Sequence, residues 1–391
     1  MNTLIELYDE RPVENVLSTE VFRPERTVFL YSPEMIDEEE ARRRICLYAE
    51  RRGLKTEWEF LPISRYDTAS IQATLKQVVL RYPDSVLDIT GGTDAALFAA
   101  GMLCGEVGMP AFTFSRKTKR YYNIHNAPFV GELPKDLRYG VEDYFQMAGG
   151  KMRQGRMDNT TLSAYAHQIP QFFELYMRYK REWQQMIAYF QRVSYHDKAL
   201  PLKLTVEAPL KVKGEHGEIT ANLPLLRELE QIGLICQLHI VEGESLSFTF
   251  LNGEVRAWLR DVGSVLELFV YQSCVDLGIF DEVRASVVVD WEDSGAENTV
   301  TNEIDVMATK SILPLFISCK TSHVTTDALN ELAILRDRFG GKLAKAAIVT
   351  AQHCRAITRH RAEELDIVVI DIDDLKEGRL PPLVQQLMQK P

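Results

Sequence analysis

Near the C-terminus two short runs alternate polar and apolar residues: Thr301-Asn302-Glu303-Ile304-Asp305-Val306 and Leu315-Phe316-Ile317-Ser318-Cys319-Lys320. A period of two predicts strands, with alternate side chains sharing a face. Glu303 and Asp305 then point one way and Ile304 and Val306 the other; Ser318 and Lys320 share a face opposite Ile317 and Cys319. If residues 307–314 turn the chain back, carboxylates and a lysine meet on one sheet surface. The flanking pattern predicts a helix over 254–275, with Trp258, Leu259, Val262, Leu266, Phe269 and Val270 at helical spacing and Glu267 among them. A strand over 285–291 precedes the hairpin. After it come a helix over about 327–339, with Thr325 or Thr326 as N-cap and Gly340-Gly341 as stop, a strand over 346–350, a helix over about 354–364 and a strand over 367–371.

The N-terminal pattern alternates strands and helices: strands over 3–8, 28–31, 55–61, 85–89 and 111–114, and helices over 38–51, 68–79 and 94–107. Such alternation predicts a mainly parallel sheet with ligands at the strand C-termini. Between the two ends, residues 162–192 read as mostly helical and rich in aromatics, expected to be core or dimer interface. A helix over 222–232 followed by strands over 234–239 and 245–251 predicts a winged-helix-like unit, acidic around Glu228, Glu230 and Glu242 and so expected to connect rather than to read DNA. Gly214-Glu215-His216-Gly217 reads as an exposed turn.

With 391 residues the chain is long for one core, and two or three domains are expected. The fold class expected is α/β, with boundaries at 1–150, 151–250 and 251–391. At 46% hydrophobic and 26% charged residues the composition is that of a soluble globular protein, and no run of about 18 apolar residues is present. The first residues lack a basic stretch, so no secretory signal is expected and a cytoplasmic location is. Six cysteines without a CxxC pair argue against disulfides and structural zinc. A net charge of −11 argues against broad electrostatic binding of nucleic acid, though not against a local site.

The chemistry concentrates in two places. A carboxylate that holds a divalent ion, beside a lysine that stabilises charge on an attacked phosphate, is how a metal-dependent phosphodiesterase is built. Asp305 and Lys320 supply those groups. In the N-terminal unit, Ser32-Pro33, Thr90-Gly91-Gly92-Thr93 and Ser115-Arg116-Lys117 follow strands and form a rim with backbone N–H groups at a helix N-terminus, suited to phosphate. The plainer alternative is a tight strand-to-helix turn beside a solvated basic loop. Gln352 and His353 either face the active site or, as expected, sit at a capped helix N-terminus, while Arg355, Arg359, His360 and Arg361 offer a local basic surface or a solvated helix face.

These residues carry two resemblances. The C-terminal order and motifs, over roughly 250–391, resemble the PD-(D/E)xK nuclease superfamily, a restriction-endonuclease-like α/β fold. The resemblance makes Asp305 the central metal ligand, Lys320 the catalytic lysine and Glu267 the added helix carboxylate. This chain has Ser318 where the usual pattern has glutamate, so Glu267, Glu303 or a backbone carbonyl such as that of Cys319 has to complete the metal shell. The N-terminal unit resembles a CARF domain, the Rossmann-like sensor of cyclic oligoadenylates in type III CRISPR defence, and the strand ends sit where that family binds its ligand. The early Asp9-Glu10-Arg11-Pro12, with Asn15 after it, also matches the family layout. Together the chain resembles the CRISPR ancillary nucleases called Card or Can. That resemblance implies a homodimer that clasps cyclic tetra-adenylate, Mn2+ or Mg2+ at the nuclease site, and cleavage of DNA, RNA or both. The competing expectation is a ligand-sensing, DNA-binding regulator with an inactive nuclease fold. Self-cleavage of the cyclic ligand by the sensor is left open.

Overall fold

Five parallel strands, β1 (Thr3–Leu7), β2 (Arg26–Tyr31), β3 (Glu57–Pro62), β4 (Ser85–Asp88) and β5 (Ala111–Ser115), lie in the order β3-β2-β1-β4-β5. This is a computed structural model, and it describes residues 1–9, 12–127, 131–153, 155–195, 202–214, 217–291 and 300–389. Glu10 and Arg11 of the early motif, and Glu215 and His216 of the expected turn, lie outside the described residues. Two strands that the sequence pattern did not predict, β6 (Arg120–His125) and β7 (Gly131–Glu132), extend the sheet antiparallel. An unpredicted helix, Pro12–Phe22, joins β1 to β2. Its side chains are buried nearly all round, polar Glu14, Asn15, Ser18, Thr19 and Glu20 included. No apolar stripe marks it, so a 3.6-residue period has nothing to show.

The helices Glu38–Arg52, Thr68–Arg81 and Asp94–Val107 fall as expected, each closed by an N-cap acceptor: Asp37, Asp67 and Thr93. The next helix, Val141–Met147, was also unpredicted. After it the chain enters β8 (Lys151–Arg153).

The middle unit holds two helices, Gln168–Arg178 and Trp183–Val193, packed through Phe172, Phe173, Tyr176, Trp183, Tyr189 and Phe190, all buried. These aromatics are core, and Phe173 stacks on Phe269 of the C-terminal unit at 3.8 Å between ring centroids. Strands β9 (Thr205–Pro209), β10 (Lys211–Lys213) and β11 (Glu218–Thr220) follow, then helix Leu223–Gln231 and strands β12 (Ile235–Val241) and β13 (Ser245–Phe250). The last two and β9 form one antiparallel sheet in the order β12-β13-β9, the winged-helix-like unit, with β10 and β11 a separate hairpin.

The expected helix over 254–275 is two helices, Gly253–Trp258 and Ser264–Asp276. Asp261 is the physical reason. Its Oδ2 accepts the N–H groups of Gly263 and Ser264 and the Ser264 hydroxyl at 2.8–3.1 Å, starting a new helix instead of continuing the old one. Then come β14 (Glu282–Asp290), β15 (Thr301–Lys310), β16 (Leu313–Lys320), β17 (Lys345–Thr350) and β18 (Ile367–Ile370). The turn expected over 307–314 is shorter: the strands run on, and only Ser311 and Ile312 reverse the chain, with Ser311 at φ +54°. The helix expected to end at 339 is regular over Thr326–Leu335 and widens into a π turn, Arg336–Gly340. The sheet order is β18-β17-β16-β15-β14-β8, antiparallel from β8 to β16 and parallel from β16 to β18.

The edge strand of this sheet therefore comes from residues 151–153, far ahead in the chain. The seam between the N- and C-terminal units is built rather than incidental. The Tyr139 N–H donates to the Ser311 carbonyl at 3.0 Å, the Val141 N–H to Glu282 at 2.7 Å, and Phe145 meets Phe339 edge-on at 5.2 Å. One apolar cluster runs through both units.

Candidate active site and ligand rim

The antiparallel ladder between β15 and β16 ends at the pair Val306↔Ile317. Beyond it the Asp305 side chain takes over: its Oδ2 accepts the Cys319 N–H at 2.6 Å and the Ser318 hydroxyl at 3.1 Å. The Lys320 Nζ stands 3.9 Å from the same oxygen. The strands open into a pocket lined by Glu303, Asp305, Ser318 and Lys320, with Glu331 from helix Thr326–Leu335 on the far wall. The alternation read from sequence thus places all four polar groups on one surface.

Glu267, in the first turn of helix Ser264–Asp276, is only 5% exposed. Burial, then the nearby Asp305 charge, pushes its carboxyl up to about 8, against the pull of Arg156. Burial also raises the Asp305 carboxyl, while Lys320, the Cys319 N–H and Ser318 hold it down. Buried, mutually repelling carboxylates are an arrangement that a hard divalent cation relieves, and an all-oxygen set fits Mg2+ or Mn2+. The residues present therefore fit the ion that the fold implies. The Cys319 thiol, buried and pushed up by burial, is not a ligand type for such an ion.

One further charged residue stands here, and nothing in its sequence surroundings announces it. Arg156 reaches Glu267 at 3.1 Å to both oxygens, Glu303 at 3.0 Å and Asp261 at 3.2 Å. Glu303 also accepts the Ser286 hydroxyl at 2.6 Å. The basic residues Arg359 and His353 serve elsewhere. Arg359 pairs with Asp371 at 2.6 Å, and His353 with Asp373 at 2.9 Å, at the N-terminus of the short helix Ile372–Lys376.

In the N-terminal unit, Asp9, Ser32, Gly92 and Thr93 line one pocket at the strand ends, with Tyr8, Met35, Ile36 and Ser64. The Ser32 hydroxyl is buried with no hydrogen-bond partner among the described residues. Gly92 sits at φ +97°, and a Cβ there would lie 2.7 Å from Leu7 Cβ; at Gly91 it would lie 2.8 Å from the Leu7 carbonyl oxygen. Only glycine lets this turn pack against the end of β1. Thr90 is turned inward: its hydroxyl donates to Asp88 and accepts the Phe114 N–H. Asn15 closes the chain end after β1 by exchanging hydrogen bonds with the Asp9 backbone at 2.7 and 2.9 Å. Pro33 is exposed beside the pocket. Ser115 accepts the Thr118 N–H within its own turn. Arg116 and Lys117 are placed differently from the pocket residues. They line a basic cleft with Lys119, Arg336, Lys342 and Lys345 at the seam with the C-terminal unit, and Arg116 pairs with Glu14 at 2.7 Å. Below the pocket floor, Glu6 and Asp88 form a buried carboxyl pair supported by Thr19 and Ser18 hydroxyls.

Residues 255–387 match the protein family described as Card1-like, endonuclease domain. No curated protein matches the chain by sequence. Among solved structures, protein VC1899 from Vibrio cholerae is similar over 100% of this chain and 98% of its own, at 19% identity and a TM-score of 0.75. Can2 from Sulfobacillus thermosulfidooxidans, solved in complex with cyclic tetra-adenylate, covers 100% of both chains at 19% identity and a TM-score of 0.73. A type III CRISPR defence DNA nuclease activated by cyclic oligoadenylate is similar at 15% identity and a TM-score of 0.50, over 96% of this chain and 51% of its own. Among the described residues no helix is long and apolar enough to cross a membrane. Residues 255–387 thus match the Card1-like endonuclease domain, and the chain as a whole has the fold seen in Can2.

Proposed function

We propose that this protein is a metal-dependent nuclease switched on by a cyclic oligoadenylate, with cyclic tetra-adenylate as the activator and nucleic acid as the substrate. The observation that carries the reading is Asp305 bound at one oxygen by Ser318, the Cys319 N–H and Lys320, at the open end of a hairpin that also presents Glu303. Asp305, Glu267 and the Cys319 carbonyl would hold Mn2+ or Mg2+, with Glu303 completing the shell in place of the glutamate that Ser318 replaces. The ion would supply an activated water and charge neutralisation at the phosphate. Lys320 stabilises the charge that develops on the attacked phosphodiester, and the Ser318 hydroxyl fixes the Asp305 carboxylate. Domain roles follow: sensor over 1–150, connector over 151–250, nuclease over 251–391.

Ser32, Thr93 and the Gly91-Gly92 backbone are the proposed contacts for a ligand phosphate, with Asp9 and Asn15 shaping the entry and Pro33 its lip. Thr90 and Ser115 hold the strand ends, while Arg116 and Lys117 carry positive charge towards the nuclease unit. A ring with rotational symmetry is matched by two copies of this rim across a two-fold axis, hence a homodimer. Ligand binding shifts the balance between two arrangements of the nuclease units. The similarity to Can2 supports the choice of ring.

The test is cleavage of single-stranded DNA, supercoiled DNA and single-stranded RNA with Mn2+, with and without cyclic tetra-adenylate, with Asp305→Ala as control. Cleavage that needs the ring and disappears in the variant supports the reading and identifies the substrate. Tight ring binding with no cleavage of any substrate would move the reading to a ligand-sensing regulator on a silent nuclease fold.

A further inference from the structure

The carboxylates around Asp305 do not gather as a trio. Among the described residues, the only trio of His, Cys, Asp or Glu ligand atoms mutually within 4.8 Å is His353, Asp371 and Asp373, outside the nuclease pocket. Glu267 and Glu303 instead meet on a guanidinium, that of Arg156. Arg156 thus already supplies positive charge to two of the carboxylates proposed to serve an ion.

The segment that delivers it is built for one position. The Arg156 N–H donates to the Ser286 hydroxyl at 2.7 Å, and that hydroxyl in turn donates a hydrogen bond to Glu303 at 2.6 Å. A Cβ on Gly155 would fall 1.6 Å from the Ser286 carbonyl oxygen, so the chain lies directly on β14 here. Three residues after Arg156, Asn159 exchanges hydrogen bonds with Ala285 at 2.7 and 2.9 Å. Upstream, the same chain is β8, which follows helix Val141–Met147 at the seam with the N-terminal unit. Arg51 of that unit holds the helix through Glu142 at 2.7 Å and Asp143 at 2.9 Å.

We infer that Arg156 is a resident counter-cation of the nuclease site that competes with the divalent ion for Glu267 and Glu303, carried on a strap that leads directly from the sensor. This rests on the metallonuclease reading above. A guanidinium and a divalent ion compete for the same carboxylate lone pairs, and placing both cations there is repulsive. Loading the ion is therefore favoured when the Arg156 fork gives up Glu267, Glu303 or both. Any movement of the seam that draws β8 back favours loading.

The experiment is calorimetric titration of Mn2+ into the full-length protein and its Arg156→Gln, Arg156→Lys and Asp305→Ala variants, without activator. Thermal melting of each metal-free protein serves as the folding control. Expected is a rise in Mn2+ affinity of about tenfold or more for Arg156→Gln, with Arg156→Lys in between, and loss of binding in Asp305→Ala. Metal-free Arg156→Gln should melt lower than the wild type and regain more on adding Mn2+. Equal or weaker Mn2+ binding by a folded Arg156→Gln, with the wild type binding and Asp305→Ala not, overturns the inference and leaves the nuclease reading standing. If Arg156→Gln does not fold, Arg156→Lys decides by the same criterion, since a lysine keeps the charge without the fork. Absence of Mn2+ binding in every protein removes the metallonuclease reading and this inference together.

Discussion

Two sets of carboxylates, one in each α/β unit, are stabilised by different means. Under the N-terminal rim, Glu6 and Asp88 are held by neutral hydroxyls: Thr19 and Thr27 near Glu6, and Ser18 and Thr90 on Asp88. In the C-terminal pocket, Glu267, Glu303 and Asp305 are held by cations, Arg156 and Lys320. Hydroxyls satisfy hydrogen bonds without cancelling charge, so burial and the Asp88 charge push the Glu6 carboxyl well above its ordinary range. That pair is a structural floor, in which burial raises both carboxyls. The C-terminal set carries charge that is exchangeable, because a cation already neutralises it and another can replace it.

The contrast is open to attack by mutation, and the largest effects belong to the exchangeable set. Asp305→Ala removes the oxygen on which Ser318, Cys319 and Lys320 converge, and cleavage is expected to fall below detection while cyclic tetra-adenylate still binds. Loss of ring binding by a folded Asp305→Ala, seen in an equilibrium binding assay, would contradict the separation of the two sites. Lys320→Ala keeps the carboxylates and removes only the cation, so a fall of about 10²–10³-fold in cleavage rate is expected, with Mn2+ affinity retained. Single-turnover kinetics at saturating Mn2+ would read it.

Gly92→Val forces a Cβ against Leu7 at a left-handed backbone position and should cost on the order of 1–3 kcal/mol in stability as well as activation. Chemical denaturation together with ring binding would reveal a destabilisation without loss of binding, the result that sinks the rim assignment. The smallest effect is on the floor. With its folded-state pKa above the unfolded value, Glu6 contributes stability at low pH that is lost as pH rises past the ordinary carboxylate range. Glu6→Gln mimics the protonated form, so its melting temperature should match the wild type near pH 4 and exceed it at pH 8, by less than about 2 kcal/mol in stability. A wild type whose melting temperature rises from pH 5 to 8 relative to Glu6→Gln would reverse the assignment.

What was legible in the sequence follows the periodicities. The carboxylate-lysine face of β15 and β16 stands out because a half-buried strand must alternate, and four of the five pocket side chains named above, Glu303, Asp305, Ser318 and Lys320, lie within that alternation. Helix Asp94–Val107 is legible because its Thr93 cap and Gly108 stop are both written in the chain. Helix Pro12–Phe22 is hidden by burial on every side, and β6 by its exposed, uneven pattern as a near-edge strand. Arg156 is illegible for another reason. It lies 111 residues from Glu267 and 147 from Glu303, on an irregular strap whose geometry is fixed by Gly155 and Asn159 against β14, and no local pattern reports such a contact. Helix 254–275 fails as a single element because apolar spacing carries across a break that one aspartate, Asp261, imposes through its hydrogen bonds.

The three-residue strand β8 has a practical consequence. Its pairing with Val288, Val289 and Asp290 covers the outer edge of a valine-rich strand. A nuclease fragment cut to begin at residue 251 would lose that cover and expose backbone donors and acceptors along β14, a template for strand-to-strand association between molecules. Such a fragment is expected to be poorly soluble and prone to self-association, whereas one beginning ahead of residue 141 would bring its own guard strand with it. For the same reason a protease nick just after β8 would be tolerated by the fold yet would sever the covalent path between the two units, giving a species in which they stay together but no longer pull on each other through this strand.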